Sequence, residues 1–231
     1  MKKFFISCIA GAAALGVAGA ANAVTFQFKG DGGPAVYDSP TGNVANDCGS
    51  IGDDICSDND ALGLTYSKSG VEFTVFGYAN GVAAQLIQDV FPDNSGIGVL
   101  SEADAEQDQT QFDSLEIIEF VFNQVVTLLN IEFNAGDDTN CSTPGAEGPC
   151  GNFDLYIDDV FFANVMADDL LANPGWTGTK FSFRPTTAGA GFNIAQFDVE
   201  AIPVPGALIL LLTGLGGLGF ASRGKKKIAQ I

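Results

Sequence analysis

Between Val24 and Ala201 the chain is a succession of short stretches in which apolar and polar residues alternate. Several of these stretches end at a dipeptide suited to reversing the chain. A period of two places every second side chain on one face of a strand, a pattern a helix cannot bury. Val24-Thr25-Phe26-Gln27-Phe28-Lys29 alternates in this way. Leu62 to Lys68 and Val71 to Ala79 flank Ser69-Gly70, and Leu115 to Phe122 and Val125 to Phe133 flank Asn123-Gln124. Both read as hairpins with two-residue turns. In the second of these, Val125, Leu129, Ile131 and Phe133 are expected on one face. Phe153-Asp154-Leu155-Tyr156-Ile157 alternates cleanly and Asp158-Asp159 turns it into Val160 to Val165. Phe181 and Phe183 mark a further strand. Phe192 and Ile194 against Phe197 and Val199 change phase, which predicts a bulge near Ala195-Gln196. Short helical turns are expected at Ala83 to Val90 and Asp168 to Ala172.

About nine to eleven strands with frequent turns give an all-β domain over residues 24–201, expected as a jelly-roll-like β-sandwich. The segment holds 16 of the chain's 19 phenylalanines, enough for an aromatic core. Three polar, acidic or glycine-rich stretches interrupt it, Gly30 to Ala61, Ser101 to Gln111 and Gly136 to Asn152.

Charge narrows the function. The same segment carries all 28 carboxylates of the chain against four cations, Lys29, Lys68, Lys180 and Arg184, a net of −24. A nucleic-acid partner is excluded on this basis, because phosphate contacts need cations. Unassisted binding to an anionic lipid or polysaccharide is unfavourable for the same reason. The chain has no histidine, so a Ser-His-Asp or Cys-His catalytic unit and a His-ligated metal are ruled out.

Cys48, Cys56, Cys141 and Cys150 fall as two close pairs in the two longest loops. Three pairings are open, and Cys48–Cys56 with Cys141–Cys150 is favoured because each closes a short local loop. Zinc would need four convergent thiolates, and the usual two-residue spacing is missing. Acidic turns at Asp53-Asp54, Asp58 and Asp60, Asp137 and Asp138, and Asp158-Asp159 could supply oxygen ligands to calcium, although such turns are more often simply solvated. No cofactor is expected, calcium being the one candidate. Trp176 and Tyr156 are the residues that could stack on a sugar ring, although a lone tryptophan near a turn more often caps a core.

The two ends are targeting devices. Lys2 and Lys3, the apolar stretch Phe4 to Val17 and the small-x-small triplet Ala21-Asn22-Ala23 make residues 1–23 a signal helix cleaved after Ala23. Residues 202–231 have three parts. Ile202-Pro203-Val204-Pro205-Gly206 is held extended by its prolines. Residues 207–222 carry no charge and read as a short transmembrane helix. Arg223, Lys225, Lys226 and Lys227 then form a cytoplasmic stop in the basic tail 223–231.

Pro203, Val204 and Pro205, the glycine-rich apolar run and the basic tail together resemble the PEP-CTERM sorting signal in its VPLPA-like variant. Val204 stands where Pro-Glu-Pro has its glutamate, and Ile202 and Gly206 replace the valine and alanine that flank Pro-Leu-Pro in the variant. The stretch 96–133 and the run from Phe192 into Pro205 also resemble exosortase-dependent surface proteins. The resemblance implies export through the Sec machinery and signal peptidase in a bacterium with a Gram-negative envelope. It further implies transient holding in the inner membrane, processing by an exosortase, and release to the cell surface or an exopolysaccharide matrix of biofilm type. A non-catalytic surface protein is therefore expected. The alternatives are a secreted carbohydrate-active enzyme using two of the carboxylates, and a structural or adhesive subunit that self-associates through an edge strand.

Overall fold

The computed structural model describes residues 22–30, 37–42, 53–56, 61–89, 96–100, 116–135, 141, 150–187 and 191–202. Every regular element among them is a strand, and no helix long and apolar enough to cross a membrane occurs among the described residues. In order they are β1 (Ala23–Gln27), β2 (Asp53–Ile55), β3 (Leu64–Lys68), β4 (Val71–Ala79), β5 (Val82–Asp89) and β6 (Gly96–Leu100). They continue with β7 (Glu116–Asn134), β8 (Asn152–Ile157), β9 (Val160–Met166), β10 (Leu170–Pro185) and β11 (Asn193–Ala201).

All eleven strands belong to one sheet, ordered β1-β11-β6-β5-β4-β7-β10-β8-β9, with β2 on β5 and β3 on β4. An extra pairing of β11 with β7 closes β4, β5, β6, β11 and β7 into a ring. The all-β expectation therefore holds, but the layering differs: the sheet closes into a barrel where two stacked jelly-roll sheets were expected. The cause is β7, 19 residues long. On one side its first half pairs with β4 and its second half with β11, while β10 runs along its other side. One strand thus serves two neighbours in the ring.

The hairpin expected at Asn123-Gln124 is accordingly absent, and the chain runs straight on as β7. A two-residue turn of the favoured hand needs positive φ at its first central residue or at both, and neither Asn123 nor Gln124 adopts it. The bend is taken up instead in the β7–β10 pairing, whose register shifts between Gly178 and Lys180. Further along β7, Leu129 is the extra residue between the pairs Asp198↔Asn130 and Val199↔Leu128. The inward set is therefore Val126, Leu128, Ile131 and Phe133, while Val125 is exposed. This corrects the face read from simple alternation. The predicted bulge at Ala195 is present, between the pairs of Ile194 and Gln196. The hairpin turns at Ser69-Gly70 and Asp158-Asp159 form with positive φ at both residues, and Asn80-Gly81 makes a third. The two expected helical turns are strand instead. Residues 82–89 are β5, whose Ala84, Leu86 and Gln88 face inward, and β10 begins at Leu170.

Aromatic side chains fill the interior. Phe73 is surrounded by Phe26, Phe28, Tyr66, Phe120, Phe122 and Phe197 at ring centroid distances of 4.7 to 6.4 Å. A second group, Phe133, Phe153, Phe183 and Phe192, joins the first through Phe120 and Phe183, 5.9 Å apart. One buried polar network in the interior pairs internally: Tyr66 donates to Gln88 Oε1 at 2.7 Å, and Gln88 Nε2 donates to the carbonyl of Phe28 at 2.9 Å.

Candidate outer-face site on β8, β9 and β10

On β10, Phe181 and Phe183 enter the core, so Lys180, Ser182 and Arg184 lie on the opposite, outer face. Three of the domain's four cations are ion-paired there or elsewhere. Lys29 pairs with Glu132, Lys68 with Asp38 at 2.9 Å, and Lys180 with both Asp159 at 2.7 Å and Glu119 at 3.0 Å. Burial pulls the Lys180 pKa down, but the hydrogen bonds and charges of Asp159 and Glu119 outweigh it and hold the ammonium above its ordinary value. Ser182 donates to Glu119 Oε2 at 2.8 Å. A serine two residues from a lysine suggests a Ser–Lys nucleophile pair, but a base must be neutral to accept a proton. Lys180 stays protonated here, so this cluster functions as a structural ion pair.

Arg184 is different. It makes no ion pair among the described residues, and its buried Nε has no hydrogen-bond partner there. Its guanidinium lies over the ring of Tyr156, 3.9 Å from the centroid. Asp154 is its direct cross-strand partner on β8, yet no salt bridge joins the two. The carboxylate is held instead by Asn164 on β9, whose Nδ2 donates to Asp154 Oδ1 at 2.8 Å. Asn164 also donates to Thr186 and accepts from Asn152.

A bulge on β9 completes the arrangement. Leu155 pairs with Ala163 and Tyr156 with Phe161, so Phe162 is the extra residue. It leaves the outer face and meets the edge of the Trp176 ring while staying largely exposed, whereas Phe161 and Asn164 share that face. Phe161 meets the Tyr156 ring edge-on at 5.6 Å and remains 53% exposed. The outer face thus carries an exposed aromatic, an arginine stacked on a second aromatic, and a carboxylate with amides in a row.

Of the sequence candidates, Tyr156 belongs to this face and Trp176 does not. Trp176 is 7% exposed and packs against Phe153 on the core side and against Phe162, so the two rings cannot form one platform. Cys141 and Cys150 are bonded as expected. Cys56 is buried and disulfide-bonded too, while its expected partner Cys48 lies outside the described residues. Asp58, Asp60, Asp137, Asp138, Ala21 and Pro203 to Ile231 also lie outside them, whereas Ala23 of the signal triplet is the first residue of β1. Among the described residues no three His, Cys, Asp or Glu groups gather as metal ligands. Asp158 is occupied: its Oδ1 accepts from the Thr179 amide, the Thr179 hydroxyl and the Lys180 amide at 2.8 to 3.0 Å. Arg184, Asp154, Phe161 and Asn164 were not singled out by sequence. Alternation through Phe181 and Phe183 indicates the outward direction of Arg184, but the bulge that brings Phe161 and Asn164 together has no local signature.

No protein-family model, curated protein or solved structure matches the chain.

Proposed function

We propose that the chain is an exported, non-catalytic surface protein of the PEP-CTERM kind. Residues 1–23 act as the signal helix, 207–222 as a membrane helix, and Pro203-Val204-Pro205 as the segment handled by an exosortase. The protein passes through the inner membrane to the cell surface or an exopolysaccharide matrix. The observation that carries this reading is the Cys141–Cys150 disulfide in a domain flanked by two export-type ends. Such bonds persist in oxidising compartments outside the cytosol. The acidic surface supplies solubility and repels nucleic acid. Intact-mass and terminal-peptide analysis of protein recovered from its native surface tests the reading. A start at Val24 and an end near Pro205 are expected; chains running through Ile231 would sink it.

A second reading, self-association as a structural subunit, is favoured by β9. This strand ends the sheet order, carries no charged residue or proline, and exposes Val160, Phe161, Phe162 and Met166. Edges of this kind lack the usual protection against strand addition. Concentration-dependent assembly in analytical ultracentrifugation is the test.

A further inference from the structure

We infer that Phe161, Tyr156, Arg184 and Asp154 form a binding strip for a neutral polysaccharide chain. The inference rests on the matrix-associated reading and names the ligand class and the residues that take it. The first argument is the state of Arg184. In a domain of net −24 the other three cations are ion-paired, whereas Arg184 passes over the carboxylate directly opposite it and stacks on Tyr156 instead. A guanidinium held over a ring keeps its planar set of donors pre-organised.

The second argument is the separation of donor from acceptor. Asp154 Oδ1 is engaged by Asn164, which leaves its Oδ2 as an acceptor beside the Arg184 donors. A donor fork next to an unpaired carboxylate oxygen suits two adjacent hydroxyls of one sugar, one accepting from Arg184 and the other donating to Asp154. Neither group is satisfied by its partner in the free protein, so binding gains hydrogen bonds without breaking an ion pair.

The third argument is the apolar surface. Phe161 presents an exposed ring next to this pair, and the C–H face of a pyranose can lie against it. The strip is an open sheet surface along β8 and β9, which suits an extended polymer more than an enclosed small molecule. Charge selects within that class. A uronate- or sulfate-bearing chain would meet one cation in a strongly acidic field, so the neutral polymer is preferred.

Affinity electrophoresis tests this with the protein recovered from its cells, in native gels containing dextran, a mixed-linkage β-glucan, a galactomannan or polygalacturonate. Retardation by at least one neutral polymer and none by polygalacturonate is expected. Arg184→Gln and Phe161→Ala should each weaken retardation about tenfold or more. Asp154→Asn should weaken it while leaving the melting temperature within a few degrees, because Asn164 can still bond the amide oxygen. Retardation of the variants equal to that of the parent would overturn the strip while leaving glycan binding in place. Stronger retardation by polygalacturonate would overturn the neutral class. Absence of retardation by every polymer would overturn the strip itself, whereas export and sorting are decided independently by the terminal peptides.

Discussion

At the scale of single residues, the hydrogen bonds gathered by Asp158 make a pH-dependent contribution to stability. Its pKa is subject to a rise from partial burial, but the Thr179 hydroxyl and the Thr179 and Lys180 amides overcome that and lower it. A lowered carboxylate pKa means the fold favours the anion. The stabilisation is complete above the unfolded value of about 3.9 and is lost as pH falls through the folded value. The side chain is largely solvated, so Asp158→Ala is expected to cost only about 1 kcal/mol at pH 7. The difference between variant and parent should shrink in urea melts toward pH 3. Tyr66 behaves in the opposite sense. Burial, aided by Asp38, pushes its phenol well above the ordinary value, so the fold favours the neutral form. That stability is present below about pH 10 and lost as pH rises through the folded value. Tyr66→Phe removes the donor to Gln88 and leaves a buried amide oxygen unpaired, which is expected to cost about 1–3 kcal/mol in denaturant titration.

At the scale of elements, β9 and β6 sit at opposite extremes of protection. Among the described strands β9 has a neighbour on one side only, and its surface is apolar, so Val160→Lys with Met166→Lys should abolish any concentration-dependent assembly without lowering the melting temperature. If the double variant assembles as the parent does, the edge is not the contact. β6 is enclosed, and its first residue decides how closely it can approach β11. Gly96 has φ of +114°, and a Cβ there would stand 2.4 Å from the Ile194 carbonyl oxygen. Only glycine permits both that angle and that approach. Gly96→Ala is therefore expected to destabilise by at least 1–3 kcal/mol in denaturant melts. The neighbouring contact, Ile194↔Ile97, is the one register pair joining β6 to β11, so the loss should fall on ring closure.

At the scale of the whole molecule, one shared aromatic core spans both ends of β7. Closing a ring in this way brings together strands far apart in the chain, such as β6 with β11 and β4 with β7. Contacts of that separation carry loop-closure entropy that short covalent loops can offset in part. Reducing the Cys141–Cys150 bond, which closes a loop of sequence separation 9, is expected to lower stability by about 2–3 kcal/mol in the chain-entropy model. Melting of a Cys141→Ser, Cys150→Ser variant against the parent, both without reductant so that the Cys56 bond is kept, measures that loss.

What the amino-acid order determined by itself was local. Strand identity followed from alternation, turns from Ser69-Gly70 and Asp158-Asp159, the bulge at Ala195 from a change of phase, and the 141–150 pairing from short spacing. The reading failed where one strand had to serve two neighbours. Asn123-Gln124 looked like a turn because polar residues interrupt an apolar run, yet pairing with β10 on both sides of it keeps the chain extended. Tyr156 was legible as an aromatic that could stack on a ligand, but its partners were not. Arg184 and Phe161 reach it across two different strand pairings, and the bulge at Phe162 sets which β9 residues face outward. Register and closure come from contacts between residues distant in sequence. Tertiary packing therefore decided the barrel and the outer-face site, whereas periodicity alone specified the strands from which both are built.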